Sequence, residues 1–296
     1  MSFLRPLAIG LSAVFTIASC GGNPPQTAVS SQGGIPQDGP IVVGTIPRTP
    51  PPAVVAESVL IVDLNSGRNL YAKNADSVRA VASTQKVVTA LCVLDAGNLD
   101  KMVTITSYDT QCEPTKLYLK PGETYTRREL LKVLMVKSAN DVARALARDI
   151  GGSVEGFSEL MNRKCAQLGM KNSHFKNPHG LTEPGQYSTA RDMAIAARVA
   201  YRSPLLRSYF ATKSFVFKYN DGRTRLIENT NKLLKRLDYV DGMKTGTTNA
   251  SGRCLVSTGT LNGRSVVCCV FKSNSANIWN DSEKLMRWAL ERPEAN

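Results

Sequence analysis

The sequence predicts an α/β fold of the α+β kind: one antiparallel sheet covered by helices, plus a helical lobe. Three observations predict it. A short apolar run rich in β-branched residues opens the ordered part near residue 58. Helical spacing dominates from 83 to 202, and strand-like runs return from 213 to 272. Strands at both ends with helices between them imply a single sheet assembled from the two ends of the chain.

Each element has its own signal. Residues 58–62 read as a strand, Asn65-Ser66-Gly67 as a hairpin turn and Asn69-Leu70-Tyr71 as the returning partner. Apolar positions at helical spacing follow Ser83, at Val87, Val88, Leu91 and Leu94. Further helices are expected at 127–137, 141–150, 154–168 and 190–202. The last third reads as strands at 213–218, 224–228, 239–245, 252–260 and 264–272. A final amphipathic helix, 278–291, carries Leu285, Trp288 and Leu290, and no room is expected for a further domain after it.

The domain organisation follows from composition. Residues 1–19 contain Arg5 and a short apolar stretch, the form of a secretory signal peptide. The stretch is too short to span a bilayer. Its end, Ile17-Ala18-Ser19-Cys20, reads as a lipoprotein signal, so Cys20 is the expected lipidation site and membrane anchor. The alternative is an ordinary signal peptide with a chance cysteine. Residues 20–55 hold about half of the 15 prolines, with Gly, Ser, Thr and Gln between them, and read as a flexible tether. The folded domain is expected at 56–296.

Among 296 residues, 37 Lys and Arg stand against 24 Asp and Glu, a net charge of +13. Such a field favours anionic partners, but the absence of basic runs interleaved with aromatics argues against a nucleic-acid platform. Setting Cys20 aside, six cysteines remain, which allow 15 full pairings, and Cys92, Cys254 and Cys268 lie in apolar runs that suit buried thiols. Two histidines and no Cys-x-x-Cys argue against a zinc site. No metal and no cofactor is expected.

Three short motifs carry chemistry. In Ser83-Thr84-Gln85-Lys86, a serine and a lysine three apart share one face, so the amine can reach the hydroxyl. A lysine serves as the base for a serine only when neutral, which burial or a second cation promotes. In Ser138-Ala139-Asn140, a hydroxyl and an amide are available to relay a proton and hold a carbonyl; a helix N-cap is the plainer reading. Lys244-Thr245-Gly246, followed by Thr247, is expected at the end of a strand that pairs with an extended peptide. There Lys244 supplies charge, Thr245 a hydroxyl for a carboxylate and Gly246 room for a backbone. Second copies, Ser173 to Lys176 and Ser275 to Asn277, show how little each means alone. Only the set that begins at Ser83 runs in the order Ser-x-x-Lys, Ser-x-Asn, Lys-Thr-Gly, the trio of penicillin-binding proteins and class A β-lactamases.

The match extends beyond the trio. Residues 79–90, 137–143 and 241–248, together with Asn177-Pro178-His179-Gly180-Leu181 and Tyr187 to Asp192, closely resemble the D-alanyl-D-alanine carboxypeptidase family, the low-molecular-mass penicillin-binding proteins. The resemblance covers about 56–292 and implies a serine β-lactamase/transpeptidase-like fold, an extracytoplasmic setting and peptidoglycan stem peptides as substrate. It implies Ser83 as nucleophile, Lys86 as its base, Ser138 and Lys244 in proton transfer to the leaving amine, and Asn140 on the substrate amide. Ser83 and Thr247 N–H groups would form the oxyanion hole. β-Lactams would be trapped as covalent inhibitors.

Two departures stand out. Carboxypeptidases of this family have an arginine between the asparagines of the segment that here reads Asn229-Thr230-Asn231. They often have another where this chain has Ile278. Arginine suits a terminal carboxylate because it binds in a bidentate fork. An endopeptidase that cuts D-alanyl cross-links is therefore the alternative, with a non-catalytic penicillin-sensing lipoprotein as a third reading. A β-lactamase would need a deacylating glutamate, for which only Glu183 is in place. His174 and His179 lack the context of a Ser-His triad.

Overall fold

The computed structural model describes residues 49–291. The expected signal peptide, Cys20 and most of the tether lie outside the described residues. In chain order the elements are β1 (Ser58–Asp63), β2 (Asn69–Lys73), a 3-10 turn (Ala82–Gln85), α1 (Lys86–Asp95), β3 (Met102–Thr104), α2 (Ser107–Thr110), β4 (Thr124–Thr126), α3 (Arg127–Val136), α4 (Asn140–Gly151), α5 (Val154–Leu168), α6 (Ala190–Tyr201), α7 (Pro204–Ala211), β5 (Ser214–Lys218), β6 (Thr224–Glu228), a second 3-10 turn (Lys232–Lys235), β7 (Val240–Thr248), β8 (Gly252–Leu261), β9 (Arg264–Ser273) and α8 (Ile278–Glu291).

The main sheet has the order β2-β1-β9-β8-β7, antiparallel throughout, so β1 from the start of the domain pairs with β9 from its end. The period of two along each strand sorts its side chains onto two faces. Leu60, Val62, Cys254, Val256, Val267, Cys269 and Phe271 enter the larger core, shared with α1, α3, α4 and α6. Val59, Ile61, Leu255, Val266, Cys268 and Val270 enter a second core, closed by Leu285, Trp288 and Ala289 of α8. Both faces of the sheet are covered, which explains why 266–271 reads as an unbroken apolar run. α1 is buried from Lys86 through Val93, as a helix at the centre of a domain must be.

All six cysteines among the described residues are buried and unbridged. Cys268 and Cys269 point to opposite faces of β9 and so cannot pair with one another. Burial pushes the Cys92 and Cys165 thiols up to about 12 and Cys254 to about 11.

Three features differ from the sequence expectation. α7 was not expected, although Ser203 caps it and Pro204 occupies its first turn, a standard start signal. The β3–β4 ladder has three residues a side, too few for an alternation to register. β7 does not stop at 245. Pairing with β8 continues through Thr247↔Arg253 and Thr248↔Gly252, so the Lys-Thr-Gly motif lies inside an edge strand rather than at its end.

Candidate active site

Ser83 sits in the 3-10 turn that leads into α1. A 3-10 turn has three residues per turn, so side chains at i and i+3 stand in line, which is why Ser83 and Lys86 meet. Lys86 Nζ lies 2.8 Å from Ser83 Oγ, 2.8 Å from Asn140 Oδ1 and 2.6 Å from the His179 carbonyl oxygen. The turn and α1 make no side-chain cap hydrogen bond, so Ser83 is not a helix cap.

Two glycines let other segments close on this turn. A Cβ on Gly246 would come within 3.0 Å of Ser83 N, Thr84 N and Ala82 Cβ. One on Gly180, at φ +87°, would come within 2.2 Å of the Ala82 carbonyl oxygen. Gly246 was expected to make room for substrate; within the protein it makes room for the backbone of Ser83 and Thr84. Replacing Gly246 with alanine is expected to push the turn away from β7 and slow penicillin acylation by up to about 100-fold, the typical cost of a misplaced reacting group. Stopped-flow labelling with a fluorescent penicillin checks this, and an unchanged rate would show that the close approach is dispensable.

The 177–181 segment places the His179 carbonyl. Asn177 Oδ1 accepts from His179 N (3.3 Å) and Gly180 N (2.8 Å), an Asx turn. The 3-10 turn and α1 anchor the same segment. Gln85 Nε2 donates to the Asn177 carbonyl (2.6 Å) and Thr89 Oγ1 to that of Pro178 (2.7 Å). The backbone of His179 thus takes part in the site, while burial and nearby Lys86 hold its imidazole down at about 3, neutral at physiological pH.

Asn140 and Ser138 flank Ala139, the N-cap of α4, whose side chain makes no cap bond. Ser138 has φ +66° and Ala82, before Ser83, φ +48°. Non-glycine residues in that region are uncommon, and both border Ser83 or its cavity. Ser138 lines a cavity of about 560 Å3 together with Ser83, Thr245, Gly246 and Thr247. Its hydroxyl makes no side-chain hydrogen bond among the described residues. Asp141, in the first turn of α4, accepts from the N–H groups of Leu117 (3.0 Å) and Tyr118 (2.9 Å), and so fixes the loop at 117–118. That loop also receives Asn140, whose N–H donates to the Thr115 carbonyl at 2.7 Å.

Lys244 is buried, and its Nζ donates to the Thr245 carbonyl at 3.1 Å. Burial lowers its pKa to about 7. Lys86 is pushed well below the usual lysine value, chiefly by burial and then by the charge of Lys244. Neither amine has a carboxylate partner among the described residues. Thr245 Oγ1 donates to Thr230 Oγ1 at 2.7 Å.

A neutral Lys86 amine has two N–H groups and one lone pair. In that state the Asn140 and His179 oxygens can accept the two N–H groups, which frees the lone pair for the Ser83 hydroxyl; in the structure that hydroxyl also lies 3.1 Å from the His179 carbonyl oxygen. The arrangement is one in which a neutral amine can act as base toward a serine hydroxyl. The model of the D-alanyl-D-alanine carboxypeptidase family matches residues 45–275. The chain belongs to the D-alanyl-D-alanine carboxypeptidase family.

Within the family, the chain is 34% identical over 255 residues to the D-alanyl-D-alanine carboxypeptidase DacF of Bacillus subtilis. The alignment takes in 84% of this chain but spans only 66% of that relative's length. It is 31% identical over 261 residues to a D-alanyl-D-alanine endopeptidase of Pseudomonas aeruginosa, covering 83% of this chain and 84% of the relative. The Streptomyces K15 DD-transpeptidase structure superposes with a TM-score of 0.78 at 31% identity, over 81% of this chain and 99% of that one. The likeness to penicillin-binding and DD-transpeptidase structures bears out the expected fold.

The remaining sequence candidates separate from this site. Ser173 Oγ bonds Ser188 and Asp192 and ties a loop to α6, so the second Ser-x-x-Lys is structural. Glu183 lines a different cavity of about 760 Å3, which includes His179 but not Ser83. Among the described residues no group of three His, Cys, Asp or Glu side chains is placed to hold a metal. Ser275, set aside as part of a chance motif, does line the Ser83 cavity, as do Lys232 and Arg253. No motif marks Arg253, but the short turn after Lys-Thr-Gly places the start of β8 opposite Thr247, and a hairpin register drawn on the sequence would have found it.

Proposed function

We propose that the protein is a serine-type D-Ala-D-Ala carboxypeptidase that removes the terminal D-alanine from peptidoglycan stem peptides through an acyl-enzyme on Ser83. The observation that carries this reading is the buried Lys86 amine, 2.8 Å from Ser83 Oγ and also within hydrogen-bond distance of the Asn140 and His179 oxygens. β7 is an edge strand, so an extended stem peptide can add to it by main-chain hydrogen bonds. Lys86 takes the Ser83 proton as Oγ attacks the penultimate D-alanine carbonyl, and the N–H groups of Ser83 and Thr247 receive the oxyanion. The C–N bond breaks, and the departing amine takes a proton through Ser138 and Lys244. Asn140 holds the substrate amide, while Thr245 and Gly246 belong to the strand that receives it. Water then hydrolyses the ester. A β-lactam acylates the same serine and blocks that last step.

The catalytic domain in this reading is 56–296, exported by the signal peptide 1–19 and held at a membrane by a lipidated Cys20 through the tether 20–55. Support for the anchor comes from the sequence of residues 1–55. No helix among the described residues is long and apolar enough to cross a membrane.

Cleavage of D-alanyl cross-links is the second reading, favoured by Thr230 and Ile278 on the cavity wall where a family arginine is expected. The test is incubation with a pentapeptide ending in D-Ala-D-Ala and with a cross-linked stem-peptide dimer. D-Alanine release from the pentapeptide is the expected result. Cleavage of the dimer alone would transfer the assignment to an endopeptidase, and cleavage of neither by a penicillin-labelled protein would overturn both.

A further inference from the structure

The Ser83 cavity has a pronounced charge asymmetry. No Asp or Glu is among the described residues that line it, whereas Lys232 and Arg253 do. Arg253 is exposed at the start of β8, in register with Thr247 of β7. Its guanidinium is tethered twice: Nη1 donates to Thr247 Oγ1 at 3.0 Å and Nε to Ser275 Oγ at 3.0 Å. Both acceptors are neutral hydroxyls, and no carboxylate among the described residues lies within ion-pair distance.

This sets Arg253 apart from Arg148, Arg191 and Arg128, whose charges are met by Asp109, Asp76 and Asp100. A guanidinium has five N–H donors in a planar fork. Two donors fix its orientation here, and the rest make no hydrogen bond among the described residues, on a charged side chain that lines the cavity. The position is close to the chemistry. Thr247 adjoins Gly246, whose Cα packs against Ser83 N closely enough that an added Cβ would lie 3.0 Å away. In a substrate that ends in D-Ala-D-Ala, a single residue separates the attacked carbonyl from the free carboxylate, a span of about 3.8 Å between Cα atoms.

We propose that Arg253, oriented by Thr247 and Ser275, receives the free carboxylate of the substrate and so supplies from β8 the arginine that positions 230 and 278 lack. The assignment rests on the proposed carboxypeptidase reading but is testable apart from it, because a penicillin carries its own carboxylate and acylates Ser83 whichever peptide bond is the natural target. The lone charge of Lys232 on the cavity wall adds to the attraction without the fork geometry.

The experiment uses the full chain, its Arg253→Gln and Arg253→Lys variants, and two probes: a penicillin and the carboxamide of the same penicillin. Wild type is expected to react with the carboxylate form about 10- to 100-fold faster, the usual effect of a charge-assisted hydrogen-bonded pair. Arg253→Gln is expected to lose most of that advantage while its rate with the carboxamide stays within about twofold of wild type. Arg253→Lys should fall between, since it keeps the charge but not the fork. The proposal is overturned if wild type does not prefer the carboxylate, if Arg253→Gln keeps the preference, or if the variant slows both probes equally. Absence of D-alanine release from the pentapeptide by wild type would overturn the carboxypeptidase reading alone and leave the charge comparison legible.

Discussion

Replacing Ser83 with alanine is expected to abolish penicillin labelling and to lower D-alanine release by at least about 10^4-fold, the scale seen when an activated nucleophile is removed. Little else should change. Among the described residues the Ser83 hydroxyl hydrogen-bonds only with Lys86 Nζ and the His179 carbonyl, and Lys86 keeps Asn140 and His179 as partners when it is gone. The fold should therefore survive, with a thermal midpoint close to that of wild type. Folded Ser83→Ala protein that still releases D-alanine at a tenth of the wild-type rate would show that the reaction does not pass through this hydroxyl.

Lys86→Arg is the second large effect. Arginine keeps a cation in place, yet at physiological pH it is never neutral and has no lone pair to offer. If Lys86 acts as a base, the substitution should slow acylation by about 10^2- to 10^4-fold, the range for general-base catalysis. The pH dependence gives the same argument a sign. Only neutral Lys86 accepts the proton, so acylation should fall as pH drops through its lowered pKa. Burial is the main cause of that lowering and repulsion from Lys244 the next. Removing the Lys244 charge, as in Lys244→Gln, relieves the repulsion and raises the Lys86 pKa. The acid limb of the acylation profile should then move to higher pH. The readout is the position of the limb rather than its height, since Lys244 also serves the substrate. A limb that stays put would show that the two amines do not influence each other.

Much of this was legible in the residues because the signals are local and ordered. The strands at 252–260 and 264–272, the final helix and the three motifs in sequence each follow from spacing within ten or so positions. What could not be read came from contacts between distant segments. The His179 carbonyl reaches Lys86 across 93 positions, and no residue type advertises a carbonyl. Asp141 looks like an ordinary helix-start aspartate until the loop at 117–118 folds over it. Gly246 was read as room for a substrate backbone, and nothing local in the sequence reveals that the backbone of Ser83 and Thr84 packs there. Ser275 belongs to a motif that recurs by chance, and only the fold brings its hydroxyl to Arg253.

The pairing of β1 with β9 also bears on how the chain acquires its structure. Val59 finds its partner in Val270, so a polypeptide delivered N-terminus first must carry an apolar, hydrogen-bond-hungry first strand until the helical middle and β9 have arrived. Contacts this far apart in sequence form late and slowly. Until then the strand is a template for pairing with any other chain nearby. A helper that shields the segment around 58–73 during synthesis or transit should therefore matter more to the yield of folded protein than one that acts on the helical middle.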